Sequence, residues 1–458
     1  MSLVAGQHKS AKFSMESWAG FCTRSLIDNI VFYFTDFPFY NTHKNSSIIK
    51  VNNENLSTNG ELYFLCSFKA WKSLLVCSKD CTSILQHYTH VHGTTKYNTD
   101  VDVAKEVFEQ LILKSSSWPI RIQQCILQKE KVCLFLNRGD IITNSIRMAV
   151  ECGMMFGSTP STGKAFSLKY QPDIQSDLTT QRLHLMRNIA AKVLSLHGYV
   201  ISNEKNCIGK YLFTSKSEGS VDEGYEKYVC GVVKNSQSKS KEICLTWDQH
   251  VKCKIDQLAE LNEHKFIEDE ENNAKKDLFL ENLANAIVIF ELMAVKPSRS
   301  VIIGNSDSKE DKSITNTKGA SFVLYNVARI ATIIRKYNER VLCGDYPSLP
   351  NIGNVDFSEL YEEEEWELVY NFIFGYLQMI NDCLKCEPNF HIYPQVLCLF
   401  LSRLCQKFSA YYRRIKILTE GSDHLISKMV ARLYMLHALQ VVFENALDIL
   451  GIKSVSQM

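Results

Sequence analysis

Three segments in the last third of the chain repeat apolar residues at helical spacing, and they constrain the fold more than any other feature. Between about Lys318 and Cys343, the residues Val323, Val327, Ile330 and Ile334 are spaced 4, 3 and 4 apart, which is one buried stripe of an α-helix. From about Gln395 to Leu418, Phe400, Leu404, Phe408, Tyr411, Ile415 and Leu418 form a second apolar face. From about Lys428 to Leu450 the chain is apolar on most sides, as a central core helix must be. These segments predict an all-α bundle. No stretch approaches 18 uninterrupted apolar residues, so no membrane span is expected.

Upstream the signals are mixed. Glu61–Phe68 and Lys131–Asn137 are short apolar runs that read as strands, with a helical pattern over Asp102–Leu113 between them. Leu183–His197 reads as a helix stopped by Gly198, followed by a short strand. Polar, turn-rich stretches at Asn41–Gly60, Ser215–Gly224, Gly304–Gly319 and Gly344–Asp356 punctuate the chain. The fold class expected is α+β, mainly α, with a small α/β domain at the N-terminus.

Charge narrows the function classes. The 51 Lys and Arg nearly balance the 50 Asp and Glu, so any nucleic-acid site must come from local clustering. Two clusters qualify. Opposite the stripe of the first long helix lie Tyr325, Arg329, Thr332, Lys336 and Arg340; Arg403, Lys407 and Arg414 flank the apolar face of the second, with Arg413 and Lys416 nearby. Cations neutralise phosphates and exposed aromatics stack on unpaired bases, although the same residues also suit an ordinary solvated helix face. The acidic run Tyr361–Glu367 faces water or a basic partner and reads best as a solvated helix start.

Other candidates are incomplete. The 16 cysteines form no repeated framework and no secretory signal is evident, so reduced thiols in cytosol or nucleus are expected. Cys383 with Cys386, Cys77 with Cys81, and the histidines of His87–His92 fall short of a four-ligand zinc set and read better as packed or surface side chains. Gly157–Ala165 nearly matches a Walker A loop but has one residue too many and Ala165 in place of the magnesium-binding hydroxyl. No cofactor, metal or catalytic residue is expected.

Specific strings carry a resemblance. GASFVLYNVARIATIIRK (Gly319 to Lys336), PQVLCLFLSRLCQKFSAYYRRIKIL (Pro394 to Leu418) and ARLYMLHALQVVFENALDILGIKSVSQM (Ala431 to Met458) resemble, in order, the opening, middle and closing helices of the DALR anticodon-binding domain of arginyl-tRNA synthetases. Asn285–Ile303 is similar to the segment joining the catalytic and anticodon domains in that family, and Val107–Asn137 to the end of its small N-terminal domain. Met186–Val200 resembles the helix and strand after the first class I signature, His-Ile-Gly-His. Counting back without gaps, that signature falls on Asp177, Leu178, Thr179 and Thr180, so both histidines that would stabilise charge on ATP are absent. Tyr199–Lys227 is too short for the second half of a Rossmann core, and Lys234–Glu242, near the second class I signature, does not reproduce it and reads as a surface loop.

The resemblance implies an N-terminal α/β domain over 1–153, a degenerate class I core and connector over 154–303, and a DALR domain over 304–458. It further implies a cytoplasmic, non-catalytic adaptor that binds tRNA, arginine tRNAs in particular, and presents it to a partner tRNA 3-methylcytidine methyltransferase. The tRNA-binding residues it implies are Tyr325, Arg329, Lys336, Arg340, Arg403, Lys407, Arg413 and Arg414, with Arg329 able instead to brace the bundle through a buried salt bridge. A divergent synthetase-like enzyme and a protein scaffold without RNA binding are the alternatives.

Overall fold

The computed structural model describes residues 20–36, 48–75, 81–92, 100–203, 206–220, 224–262, 270–304, 318–419 and 425–453. Cys77, most of the Gly304–Gly319 stretch and the last five residues lie outside them. The chain divides into two compact units, Met1–Asp140 and Ile141–Met458. The division between them falls within a helix over Arg138–Cys152.

In the first unit, helices α1 (Thr23–Thr35), α2 (Leu56–Asn59), α3 (Phe68–Trp71), α4 (Ile84–His92) and α5 (Asp100–Ser115) accompany strands β1 (Lys50–Val51), β2 (Leu62–Leu65), β3 (Ile122–Gln128) and β4 (Lys131–Leu136). The strands form one antiparallel sheet in the order β1-β2-β4-β3. The two runs read as strands are β2 and β4. Phe64 meets Phe34 and Trp71 edge-on, at 5.3 and 5.4 Å between ring centroids, in the core of this unit. Gly60, at φ +68°, passes so close to β4 that a Cβ would lie 2.4 Å from the Leu134 carbonyl oxygen, so no side chain fits there.

The second unit opens with α6 (Arg138–Cys152) and continues through β5 (Ala165–Tyr170), α7 (Asp177–Leu196), β6 (Val200–Ile201), β7 (Gly209–Thr214), β8 (Glu226–Val229), β9 (Val233–Asn235), α8 (Trp247–Asn262), α9 (Glu270–Met293) and β10 (Val301–Ile303). Strands β6-β5-β7-β8, in that order, form a wholly parallel sheet. The segment judged too short for more of a Rossmann core therefore does hold three strands. The links 202–208 and 215–225 are shorter than the dozen or so residues that a helical crossover takes. Beyond this sheet β9 pairs in parallel with β10, which ties the connector to the middle of the chain. The buried Arg182 of α7 fastens the same region: its guanidinium donates to the Gly231, Arg299 and Lys296 carbonyls at 2.5, 2.8 and 3.2 Å. Desolvation pushes its pKa down to about 10.

The remainder is helical: α10 (Lys318–Leu342), α11 (Glu363–Leu368), α12 (Gly375–Cys383), α13 (Pro394–Arg414) and α14 (Ile426–Leu450), with a π-helical turn over Val369–Phe374 joining α11 to α12. By length and composition α14 could cross a membrane. Its buried residues instead recur on every side, from Met429 through Leu450, which makes it the core helix that the sequence predicts. A small hairpin of β11 (Leu384–Lys385) and β12 (His391–Ile392) leans on the parallel sheet. At its tip Phe390 enters a cluster of Phe166, Tyr211, Phe213 and Tyr228, stacking on Tyr211 at 4.2 Å. Sheet and bundle thus share a core.

Candidate nucleic-acid interface

The outer ridge of the bundle is built where α10 meets α13. Asn326 and Ser409 face each other there, both buried, and the Ser409 hydroxyl donates to Asn326 Oδ1 at 2.8 Å. That bond fixes the crossing of the two helices. Beside that contact Tyr325 of α10 and Ala410 of α13 are exposed, whereas Val327 and Phe408 remain buried. Tyr325 and Arg329 are one turn apart on α10, and Tyr412 lies on the last turn of α13. The Arg329 guanidinium lies over both rings, 4.4 Å from the Tyr325 centroid and 4.5 Å from that of Tyr412, and donates to the Tyr325 hydroxyl at 2.7 Å. Both tyrosines stay accessible, at 47% and 39% exposure. Arg329 makes no ion pair among the described residues, so its charge is held in place by aromatic faces without being neutralised.

The other expected residues separate into two groups. Lys336, two turns beyond Arg329 on α10, and Arg403 on α13 are exposed and make no ion pair among the described residues. Arg413 is exposed as well, its Nε donating to the Ser409 carbonyl at 3.2 Å. These three share the ridge's uncompensated charge. The other three are engaged by the protein itself. Lys407 pairs with Glu367 at 2.6 Å, and Arg414 pairs with Glu362 and Glu364. Arg340 donates to the Tyr346 hydroxyl at 3.1 Å, and Tyr346 in turn donates to the Thr419 carbonyl at 2.6 Å, so Arg340 braces a loop.

The acidic run explains this division and corrects the view of it as a solvated helix start. Glu362 and Glu365 form a capping box at the start of α11. Glu365 is fully buried, accepting from Arg432 at 2.7 Å and from the Tyr411 hydroxyl at 3.1 Å. The buried salt bridge considered for Arg329 is therefore made by Arg432 of the closing helix. The neighbouring glutamates turn outward as counter-ions for α13. Tyr412, which completes the stack, was legible only as one of a Tyr411–Tyr412 pair of which one should be core. Tyr411 is that one, as its place on the apolar face with Leu404 and Phe408 signalled.

Residues 323–458 match the family model of the DALR anticodon binding domain. Among curated proteins, the mouse DALR anticodon-binding domain-containing protein 3 is 31% identical over 234 residues, 50% of this chain and 42% of that protein. Its rat counterpart is 34% identical over 180 residues, 38% of this chain and 33% of that protein. An arginine–tRNA ligase of Borrelia garinii subsp. bavariensis is 26% identical over 190 residues, 42% of this chain and 29% of the ligase. The chain thus matches less than half the length of each of these relatives. Among solved structures, the arginyl-tRNA synthetase of Thermus thermophilus superposes with a TM-score of 0.59 at 9% identity, covering 95% of this chain and all of that one. That of Plasmodium falciparum gives 0.58 at 10% identity, covering 95% and 98%. At such identities the likeness establishes the fold: a synthetase-like architecture ending in a DALR domain.

The parallel sheet is the counterpart of the DALR ridge. Its strand order reverses between β5 and β7, and the carboxyl ends beside such a switch point are where α/β sheets bind ligands. Here those positions are engaged by the protein itself. Ser176 caps α7, accepting from the Thr179 amide at 3.3 Å, and the Thr179 hydroxyl accepts from the Val233 amide at 3.1 Å. Thr180 Oγ1 accepts from the Asp173 amide at 2.8 Å, and Asp177 accepts from the Trp247 amide at 2.7 Å. At the strand ends Asp173 takes Lys241 at 2.7 Å and Ser215 at 2.6 Å. Lys234–Glu242 is thus only partly the surface loop expected of it: its Lys241 is latched to Asp173, and the buried Glu242 accepts from Asn235 at 2.7 Å.

The Gly157–Ala165 loop leads into strand β5 instead of opening a helix, and Thr159 and Thr162 bind the carbonyls of Leu196 and Gly198 at the end of α7. Among the described residues no three of His, Cys, Asp and Glu gather as metal ligands. Burial pushes the thiols of Cys383 and Cys386 up to about 12 and about 11, the opposite of what a thiolate ligand needs. Cys81 lies 3.1 Å from His90 Nδ1.

Proposed function

We propose that this chain is a tRNA-binding adaptor without catalytic activity of its own. The DALR domain grips the anticodon loop of a tRNA, arginine tRNAs above others, and the chain presents that loop to a tRNA 3-methylcytidine methyltransferase in the cytoplasm. The observation that carries the reading is the Tyr325–Arg329–Tyr412 stack: two accessible aromatic faces around a cation with no carboxylate partner, on the outer ridge of an anticodon-binding domain. Unpaired bases of an RNA loop stack on tyrosine and arginine planes, and Lys336, Arg403 and Arg413 supply phosphate contacts beside them. The absence of catalysis is supported by the start of α7, where Thr179 and Thr180 stand at the expected signature positions and bond to the protein itself. The named relatives that match over half the chain are likewise DALR-domain proteins.

The test is direct titration of the full chain with arginine tRNA and with tRNAs of other acceptor types, together with an arginine-dependent ATP–pyrophosphate exchange assay. Preferential binding of arginine tRNA without exchange is expected. Robust exchange would overturn the adaptor reading, and loss of 3-methylcytidine from arginine tRNA on depletion of the chain in cells would support the methyltransferase step.

A further inference from the structure

Arg403, Lys407 and Arg414 recur on α13 at intervals of four and seven residues. They therefore stand on one stripe of the helix, roughly 6 and 10 Å apart along its axis. Three cations in line beside an aromatic stack make a track for a phosphate backbone. Here only the first of them is open. Arg403 is exposed and makes no ion pair among the described residues, whereas Lys407 meets Glu367 at 2.6 Å and Arg414 meets Glu362 and Glu364. All three glutamates come from one short segment at the start of α11.

Stability does not account for these pairs. The side chains of Lys407 and Arg414 are 40% and 55% exposed, and ion pairs open to water contribute little. The member of the run that holds the bundle together is Glu365, bonded to Arg432 and Tyr411 in the interior. What the outward glutamates change is local charge. Lys428 also reaches Glu362, at 3.5 Å, so Arg414 and Lys428 are balanced by Glu362 and Glu364, as Lys407 is by Glu367. Each pair lies well inside the screening length of about 8 Å at physiological salt. A phosphate that moves along the stripe past Arg403 thus meets no net positive charge from these groups.

We propose that Glu364 and Glu367, together with Glu362, determine the RNA specificity of the ridge by holding Arg414 and Lys407 neutral. Affinity for RNA of any sequence grows with the number of phosphates a surface neutralises. Discrimination is the ratio of specific to non-specific affinity, and cancelling cations that any RNA could use raises that ratio. With the stripe closed beyond Arg403, binding depends on bases that can stack at Tyr325, Arg329 and Tyr412. The inference rests on the tRNA-binding reading of that stack.

The test titrates the full chain with arginine tRNA and with a short polyuridine, which has no fold to recognise, across a salt series. Glu364→Gln combined with Glu367→Gln keeps the side-chain shapes and the Glu362–Glu365 capping box while removing two counter-charges. Polyuridine affinity should rise about fivefold for each cation released at about 0.1 M salt, and the slope of log affinity against log salt should steepen by about 0.7 for each. Arginine tRNA, already seated by the stack, should gain less, so the ratio of the two affinities falls. Adding Lys407→Ala and Arg414→Ala should restore the parental polyuridine affinity. Glu260→Gln combined with Glu281→Gln, at exposed sites on α8 and α9, should leave it unchanged. An unaltered polyuridine affinity, a gain that survives the two alanines, an equal gain in the distant control or a ratio that does not fall would overturn the inference. A parent that prefers arginine tRNA, with a variant that gains nothing on polyuridine, defeats this inference and leaves the adaptor function intact. A parent without that preference defeats the adaptor function, and the specificity role falls with it.

Discussion

The DALR bundle and the parallel sheet belong to one compact unit, yet they have disposed of their polar groups in opposite ways. In the bundle the interior is saturated, with Glu365 paired to Arg432, while the outer ridge keeps Arg329 unpaired between two exposed tyrosines. In the sheet the switch-point positions are saturated by Asp173, Lys241, Thr179 and Thr180. The difference teaches that ligand competence follows the groups a fold leaves uncompensated. It does not follow the places where a fold family usually keeps its sites.

The comparison breaks first if the bundle's interior charge is not structural. Arg432→Ala would leave Glu365 buried without its cation and should cost about 3–5 kcal/mol of stability. Urea unfolding monitored by circular dichroism measures this. Replacing both partners by apolar residues should recover most of the loss, since a matched ion pair and a well-packed apolar pair differ little. A single variant as stable as the parent would mean that the acidic run is a solvated surface after all. Phe390→Ala comes next. Emptying the cluster of Phe166, Tyr211, Phe213 and Tyr228 should cost about 3 kcal/mol and raise hydrogen exchange in β7 and β8 above that in α14. Equal exchange in both would show that sheet and bundle do not depend on the hairpin.

How much of this was legible beforehand differs between the two regions for a physical reason. The bundle's helices follow from local periodicity, so α10, α13 and α14 could be drawn from Val323, Leu404 or Ala431 outward with ends only a few residues off. Which of their charges are free could not be, because Lys407 and Arg414 are neutralised by glutamates some forty to fifty positions away. Sequence spacing along one helix carries no information about the helix that packs beside it. In the sheet the opposite held. The absence of the signature histidines was plain, but β6 and β8 are so short that their parallel pairing arises from tertiary contacts. Arg182, lodged among three carbonyls, had no sequence signal at all.

The ridge itself supplies a sharper contrast. Tyr412→Ala and Arg329→Ala should each weaken tRNA binding by about 1–3 kcal/mol, the usual worth of a lost base-stacking surface. Lys407→Ala and Arg414→Ala should change it little, because their charges are already spent on glutamates. Lys336→Ala and Arg403→Ala should each reduce the slope of log affinity against log salt by about 0.7–0.9 if each releases one phosphate contact. Fluorescence anisotropy across a salt series reads all three effects. Equal losses from the paired and unpaired cations would erase the distinction on which the site rests.

The smallest effect tests the sheet's inward-turned carboxylate. Burial alone would raise the pKa of Asp173, but the bonds from Lys241, Ser215 and the Gln175 amide outweigh it and hold the group below its ordinary value. The same balance, with His250 and Lys254 as donors, holds Glu291 low between α8 and α9. A carboxyl whose folded pKa is depressed binds protons more readily in the unfolded chain. Its stabilising contribution is therefore complete above the unfolded pKa of about 3.9 for Asp and drains away as pH falls through the folded value. Asp173→Asn should lower stability at neutral pH by on the order of 1 kcal/mol and flatten the acid limb of the stability curve between about pH 5 and 3, with tRNA affinity at neutral pH unchanged. Denaturant titrations at several pH values measure the limb. An acid limb as steep as the parent's would mean that Asp173 is not held ionised by Lys241. A loss of tRNA affinity would mean that the switch point had kept a share in binding, and the contrast between sheet and bundle would have to be redrawn.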